Sequence, residues 1–244
     1  MPQRGEAMNP ERRQLLGWGA AAAAGLALAP GLRLVELAAA RSPEKAASAL
    51  QRWGLLIDVA KCADCDACVS ACRDENGWTG HGRPATDVQW IRKVSLRDKH
   101  TGHAQTAPLM CQHCEHPPCV DVCPTGASFK RDDGIVLVDK HICIGCRYCV
   151  MACPYGARSF VHEPVSGQKP EVPRGMGTVE SCTLCVHRVD RGQSPACVEA
   201  CSQAMVFGDL NDSSSEIHRR LKSEPSTQLR ADLALNTGVR YQGL

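Results

Sequence analysis

The stretch that decides the fold is CIGCRYCVMACP, residues 143–154, in which four cysteines are separated by two, two and three residues and Pro154 follows the last. Thiolate sulfur is a soft ligand that suits zinc, copper and iron–sulfur centres. Three thiols this close in sequence can face one centre from a single tight loop. The stretch therefore predicts a metal centre whose ligands are cysteines.

The other cysteines repeat this pattern. The chain of 244 residues has sixteen cysteines, and they fall into four groups of four. Disulfide frameworks also use even cysteine counts, but they serve small domains without a core, and 43% of this chain is hydrophobic. Four copies of one metal-binding motif explain the regular spacing better than a disulfide framework does. The groups are Cys62, Cys65, Cys68, Cys72; Cys111, Cys114, Cys119, Cys123; Cys143, Cys146, Cys149, Cys153; and Cys182, Cys185, Cys197, Cys201.

Zinc and haem explain the spacing less well. Two C-x2-C pairs complete one tetrahedral zinc site, and nothing then requires a third and fourth cysteine at fixed offsets. A zinc-binding structural module remains the alternative from another functional class. Covalent haem needs His directly after C-x-x-C, and a thioredoxin-type pair would occur once. The positions where haem attachment would need His hold Asp66, Val69, Glu115, Arg147, Val150 and Val186.

The two inner groups match a bacterial ferredoxin with two clusters. Residues 143–154 fit the C-x2-C-x2-C-x3-C-P run at every ligand position, and in that run the fourth thiolate binds the neighbouring [4Fe-4S] cluster. CQHCEHPPCVDVCP, residues 111–124, is the same device with two extra residues, marked by Pro117-Pro118. We therefore expect each group to lend its fourth cysteine to the other.

The segment between the inner groups supports this pairing. Asp132-Asp133-Gly134 predicts a turn and residues 135–138 a short apolar strand, and we expect Cys153 to open a helix. This order of loops, helix starts and strand is typical of the compact two-cluster arrangement. The predicted ligand sets are Cys111, Cys114, Cys119 and Cys153 for one cluster, and Cys143, Cys146, Cys149 and Cys123 for its partner.

The two outer groups have no partner nearby in the sequence. Both lack proline after the last cysteine, where Arg73 and Ser202 stand. The economical solution is that they pair with each other and enclose the inner unit. The predicted ligand sets are Cys62, Cys65, Cys68 and Cys201 for a third cluster, and Cys182, Cys185, Cys197 and Cys72 for a fourth.

The predicted fold class is α+β. We expect two pseudo-symmetric ferredoxin-like domains with two [4Fe-4S] clusters each, built of short strands, short helices and long loops, the inner domain inserted within the outer. The outer domain is predicted over residues 52–80 plus 176–210, and the inner over residues 105–162. A C-terminal tail, residues 211–244, is expected to lie along the surface or against a partner.

Residues 1–40 are predicted to be a twin-arginine signal peptide. Arg12-Arg13 precedes a short, Ala-rich apolar run, and small residues follow at Ala38-Ala39-Ala40. The twin-arginine route exports proteins that are already folded, which suits a protein that receives its metal in the cytoplasm. We therefore expect a periplasmic protein.

The remaining polar residues predict no substrate chemistry. We expect His113, His116 and His187 to pack in loops or to hydrogen-bond near the clusters rather than bind metal, and Arg131-Asp132-Asp133 to be a solvated charge cluster. The formal charge of +2 does not indicate nucleic-acid binding, because each oxidised cluster with its thiolates adds about two negative charges. The chain is predicted to carry electrons and not to be an enzyme by itself.

Beyond its ligand spacing, the chain resembles the four-cluster iron–sulfur subunits that accompany molybdopterin oxidoreductases and related respiratory membrane complexes. The resemblance covers residues 52–210 and rests on WGLLID, QHCEHPPC, DGIVLVD, CPYGAR and the segment from CTLC to PAC. PATDVQWIRKV, residues 84–94, and LNTGVRYQGL, residues 235–244, are similar to the periplasmic iron–sulfur O subunits of Dsr complexes in sulfur metabolism.

This resemblance implies a linear electron relay. Its partners would be a polytopic quinone-interacting membrane subunit, a multihaem cytochrome c and other subunits of the complex, with membrane association only through them. The alternative within the same mechanism is the electron-transfer subunit of a periplasmic molybdopterin enzyme, such as a tetrathionate or polysulfide reductase.

Overall fold

The computed structural model describes residues 47–62, 65–102 and 104–244. The predicted signal peptide, residues 1–40 with Arg12 and Arg13, lies outside the described residues. Residues Ala47–Leu244 form a compact unit. Within the described part, no helix is both long enough and apolar enough to cross a membrane.

Short elements joined by long loops build this unit, as the many glycines, prolines and closely spaced cysteines lead one to expect. In chain order they are β1 (Trp53–Asp58), α1 (Ala67–Asn76), β2 (Ile91–Arg97), β3 (Ala104–Met110), α2 (Pro118–Asp121), β4 (Ser128–Lys130), β5 (Val136–Val138), α3 (Tyr148–Ala152), β6 (Ser159–Phe160), β7 (Val179–Glu180), α4 (Val186–Val189), α5 (Ala196–Ala200), β8 (Met205–Asp209), α6 (Glu216–Ser223) and β9 (Val239–Gln242). Single 3₁₀ turns form at Val59–Lys61 and Ala231–Leu233.

A three-stranded sheet in the order β8-β1-β9 joins the two ends of the described chain. Strand β1 runs antiparallel to β8, with Leu55 opposite Phe207, and parallel to β9, with Leu55 opposite Val239. The sequence of β1 is almost wholly apolar, and its residues from Gly54 onward are buried. Since both faces of this strand are covered, the sheet forms the centre of the core.

The other sheets are two-stranded antiparallel pairs. Strands β2 and β3 pair over their whole length, from Ile91 opposite Met110 to Arg97 opposite Ala104. The pairs β4-β5 and β6-β7 are much shorter. The turn predicted at residues 132–134 and the strand after it are confirmed, because the Gly134 amide bonds the Arg131 carbonyl oxygen at 3.0 Å and β5 follows.

Helix α1 brings an early cysteine group against a late one. The helix carries Cys68 and Cys72 on its buried side and ends at Gly77, whose left-handed backbone (φ 68°) suits glycine. Helix α5, which carries Cys197, packs against α1. Residues separated by more than a hundred positions in sequence therefore meet across this helix pair.

The expectation that residues 211–244 lie along the surface or against a partner is wrong at two places, one turn of α6 and strand β9. Ile217 of α6 is fully buried, and Val239 and Tyr241 of β9 are each 1% exposed. The apolar residues alternate along β9, so they point into the core while the backbone pairs with β1. The residues that precede β9 are mostly polar, so the sequence pattern did not predict this strand.

Two smaller expectations are also wrong. Cys153 ends helix α3 instead of opening a helix, because the residue before a proline is forced into extended backbone (φ −76°, ψ 110°). The expected solvated cluster at residues 131–133 is exposed only at Asp132. Arg131 contacts the carboxylates of Asp133 at 2.7 Å and Asp190 at 2.8 Å, and Asp133 is 1% exposed.

Candidate metal centres

Four cysteines line one cavity in the inner part of the chain, here called the first cavity. Cys111, Cys114 and Cys119 are buried, and Cys153 reaches the same cavity from the end of α3. The amide of Ala157 donates a hydrogen bond to the Cys153 sulfur at 3.4 Å. These four cysteines are the set that the sequence predicts for one cluster, and the structure brings them together.

Four other cysteines line a separate cavity, here called the second cavity. They are Cys123, Cys143, Cys146 and Cys149, again the predicted set, and Cys146 is solvent-exposed. The amide of Ser128 donates to the Cys123 sulfur at 3.3 Å. Burial opposes ionisation of this thiol, but hydrogen bonds from Ser128 and Thr125 outweigh it and lower the pKa of Cys123.

The predicted set of Cys182, Cys185, Cys197 and Cys72 is buried throughout, and we call it the buried outer set. Burial, followed by the charges of Cys72 and Cys197, raises the pKa of Cys182 well above its usual value. The indole N–H of Trp78 donates to the Cys72 sulfur at 3.4 Å. Nδ2 of Asn76 lies 3.5 Å from the Cys72 sulfur and 3.8 Å from the Cys185 sulfur, and α5 with Cys197 packs against α1, so these thiols lie near one another.

The remaining set, Cys62, Cys65, Cys68 and Cys201, lies nearer to solvent, and we call it the exposed outer set. Burial raises the pKa of Cys68 to about 11, and the charges of Cys201, Cys62 and Cys65 act in the same direction. Cys65 itself is exposed. The structure thus brings Cys201 to the first cysteine group, as the sequence predicts.

The donor chemistry fits [4Fe-4S] clusters. All sixteen cysteines lie in the described residues, and each is a thiol rather than half of a disulfide. Four thiols around one cavity match the four cysteine ligands that a [4Fe-4S] cluster takes. Amide and indole N–H groups directed at sulfur are the contacts that tune such clusters. The residues present therefore fit the group that their spacing predicts.

Three histidines singled out in the sequence make other contacts. The Val136 amide donates to Nδ1 of the buried His113 at 3.0 Å, and Nε2 of His187 lies 2.7 Å from Oε1 of Glu75. His116 is exposed. Burial lowers the pKa of His113 to about 3, so this ring is neutral at physiological pH.

Sequence reasoning missed several residues around the cysteines. Trp78 and Asn76 both approach the Cys72 sulfur, and Asn76 also lies 3.8 Å from the sulfur of Cys185. Arg158 lines the first cavity. Only Arg158 could have been noticed in the sequence, because it stands in the CPYGAR stretch that carries the family resemblance. Trp78 and Asn76 approach the cysteines only in the tertiary fold.

Sixteen thiols gathered in fours on short helices and loops define the class of iron–sulfur electron-transfer proteins with ferredoxin-like domains. One 4Fe-4S dicluster domain family matches residues 102–210, and a second matches residues 61–127. The chain accordingly contains ferredoxin-like domains that hold [4Fe-4S] clusters.

Similar proteins show which kind of iron–sulfur protein this chain resembles. The Hdr-like menaquinol oxidoreductase iron–sulfur subunit 1 of Archaeoglobus fulgidus is 42% identical, covering 96% of this chain and 98% of the relative. The tetrathionate reductase B subunit of Salmonella typhimurium is 39% identical, covering 89% and 84%. The sulfite dehydrogenase B subunit of Allochromatium vinosum is also 39% identical, covering 79% and 83%.

The chain belongs to the family of iron–sulfur electron-transfer subunits of respiratory oxidoreductase complexes. Its role is to carry electrons within such a complex, together with partner subunits, and not to catalyse the substrate reaction.

We predict that Gly145→Ala removes the cluster of the second cavity. The backbone at Gly145 is left-handed (φ +69°), and an added Cβ would lie 2.1 Å from the Gly177 carbonyl oxygen. The loop that carries Cys143 and Cys146 would have to move, and iron content would fall by about one cluster. Iron analysis of the anaerobically purified variant measures this loss.

Gly126→Ala is the matched control. Gly126 has the same φ of +69° and no atom within 4 Å of an added Cβ, so it carries only the backbone strain of about 1–2 kcal/mol. Equal iron loading in the two variants would show that the close approach to Gly177 does not position the loop.

Proposed function

We propose that this chain carries four [4Fe-4S] clusters and relays electrons between a quinone-interacting membrane subunit and the redox partners of a sulfur-metabolism (Dsr) membrane complex. The observation that carries the electron relay is the gathering of sixteen thiols into four sets of four. The inner sets each line their own cavity, and the outer sets join cysteines from distant parts of the chain. We take each set as the ligands of one cluster.

The domain arrangement we propose is nested. An outer ferredoxin-like domain, residues 52–80 plus 176–210, encloses an inner one at residues 105–162, in an α+β fold. The pairing of β1 with β8 and the packing of α1 on α5 support this arrangement, because both contacts join the two halves of the outer domain.

Three short helices support a linear order of the clusters. Helix α1 joins the exposed outer set, through Cys68, to the buried outer set, through Cys72. Cys119 of α2 and Cys149 of α3 belong to different cavities, and these two helices pack together. Helix α1 thus connects the two outer sets, and the contact between α2 and α3 connects the two inner sets.

Tyr241 supports a connection between the buried outer set and the first cavity. Its hydroxyl accepts a hydrogen bond from Nε2 of Gln112, next to Cys111, at 3.2 Å. Burial, and then the charge of Cys182, raises the pKa of Tyr241 well above its ordinary value, although the bond from Gln112 opposes this shift. Tyr241 is therefore near both the first cavity and the buried outer set.

The exposed cysteines support the two ends of the relay. Cys65 belongs to the exposed outer set and Cys146 to the second cavity, and both are accessible to solvent. Electrons would enter at one of these ends and leave at the other. The proposed order is exposed outer set, buried outer set, first cavity and second cavity.

Two observations support the cellular setting. The relative named as a menaquinol oxidoreductase subunit aligns with 96% of this chain, more than the 89% aligned with the tetrathionate reductase relative. Arg12-Arg13 indicates export in the folded state to the periplasm. We propose that a polytopic quinone-site subunit and a multihaem cytochrome c hold the chain at the membrane.

The second candidate is the electron-transfer subunit of a periplasmic molybdopterin oxidoreductase. Its support is the 39% identity to the tetrathionate reductase relative. Both candidates use the same four-cluster relay, so only the partner distinguishes them.

Purification of the tagged chain from gently solubilised membranes of its native host distinguishes the candidates. We expect a polytopic membrane subunit and a multihaem cytochrome c to copurify, and a menaquinol analogue to reduce the clusters of the isolated complex. A molybdopterin subunit in place of the cytochrome would overturn the first candidate in favour of the second.

A further inference from the structure

Arg158 is a buried cation whose side chain contacts the Cys149 sulfur without completing a hydrogen bond of ordinary geometry. The residue is 4% exposed, and among the described residues none accepts such a bond from its Nε, Nη1 or Nη2 atoms. Each guanidinium carries five N–H donors, and leaving a buried charged donor unpaired costs several kcal/mol. A group that supplies negative charge and acceptor atoms must therefore face this side chain.

The cysteines on two sides of Arg158 belong to different sets. Arg158 lines the first cavity. Burial by itself would lower the pKa of Arg158, but the charges of Cys119 and Cys111, from the first cavity, and of Cys149, from the second, outweigh burial and raise it. The guanidinium lines the first cavity and also contacts the sulfur of Cys149, which lines the second, so it reaches a cysteine of each cavity.

We propose that Arg158 is shared by the clusters of the first and second cavities. Its guanidinium donates hydrogen bonds to sulfur atoms of both clusters and raises the reduction potential of each. This inference rests on the proposed function, since it requires clusters in the first and second cavities. Arg158 stabilises an added electron on either side, because one-electron reduction makes a cluster more negative by one charge. When an electron passes from one cluster to the other, their summed charge is unchanged and Arg158 stays close to it.

Replacing the charge tests this role through potentials rather than activity. In Arg158→Gln, purified anaerobically as the full chain with its clusters, we expect both potentials to fall. The reduction equilibrium constant of each cluster should drop about tenfold or more, which is about 59 mV per tenfold for one electron. Redox titration followed by electron paramagnetic resonance measures the four potentials, and the clusters of the outer sets are the internal reference.

Arg147→Gln is the matched control. Arg147 follows Cys146 directly, so the same charge is removed beside the second cavity, but its side chain is exposed and lies over the Phe160 ring at 3.9 Å. Water screens an exposed charge, so we expect a smaller fall than in Arg158→Gln, and no change at the first cavity.

Arg158→Lys keeps the test decisive if the glutamine variant does not fold. An ammonium keeps the charge but lacks the planar fork, so it cannot donate to two separated sulfur atoms in the same way. We expect the reduction potential of one of the two inner clusters to stay unchanged and that of the other to fall. Unchanged potentials in fully loaded Arg158→Lys, or a fall at only one cavity in Arg158→Gln, would overturn the proposal. Wild-type iron and sulfide contents test the proposed clusters separately.

Discussion

Cys153→Ser should destroy or convert the cluster of the first cavity and leave the cluster of the second cavity intact. Cys153 directly follows the helix that carries Cys149, yet it lines the cavity of Cys111, Cys114 and Cys119. A serine hydroxyl is a poor substitute for thiolate toward iron, so we expect the loss of one of four spectroscopic signals. Electron paramagnetic resonance on the anaerobically reduced variant measures it.

Cys123→Ser is the reciprocal control. Cys123 stands close in sequence to Cys119 but lines the second cavity, so its exchange should affect the cluster of Cys143, Cys146 and Cys149. If each serine variant instead lost the cluster of its own sequence group, the exchange of ligands between groups would be wrong.

Glu180→Ala should cause a large loss of stability, because it breaks a buried ion pair. Glu180 is fully buried, accepts a hydrogen bond from the Trp90 indole at 3.1 Å and pairs with Arg174 at 3.0 Å. Removing the carboxylate leaves the guanidinium of Arg174 buried without its partner, which typically costs about 3–5 kcal/mol. Guanidinium chloride unfolding under anaerobic conditions, followed by the visible absorption of the clusters, measures the loss.

Asp232→Ala is the control for this prediction. Asp232 also pairs with an arginine, Arg230, at 2.9 Å, but the two side chains are 61% and 54% exposed. Exposed ion pairs contribute about 0–1 kcal/mol. Similar unfolding midpoints for Glu180→Ala and Asp232→Ala would show that the buried pair does not hold β7 in place.

The cysteine sets were accessible from sequence because ligand spacing is a local property. The two inner sets follow from known spacing, and the outer sets follow from the need of each group for a mate. The strand after Asp132-Asp133-Gly134 was also predictable, since a turn signal precedes a short apolar run.

The contacts that depend on tertiary structure could not be predicted. Strand β9 is only four residues long, and it is stable only because β1 offers it an apolar, unpaired edge. Burial of Arg131 likewise requires Asp190, which lies far along the chain. The burial of Arg158 beside the first cavity depends on tertiary packing, and no spacing rule describes that packing.

Iron and acid-labile sulfide content of the anaerobically purified full chain tests the central claim most directly. Four [4Fe-4S] clusters predict about sixteen iron and about sixteen sulfide per chain, with broad visible absorption that bleaches on reduction. About four zinc per chain, with no sulfide and no visible absorption, would contradict the claim and establish a zinc-binding module instead.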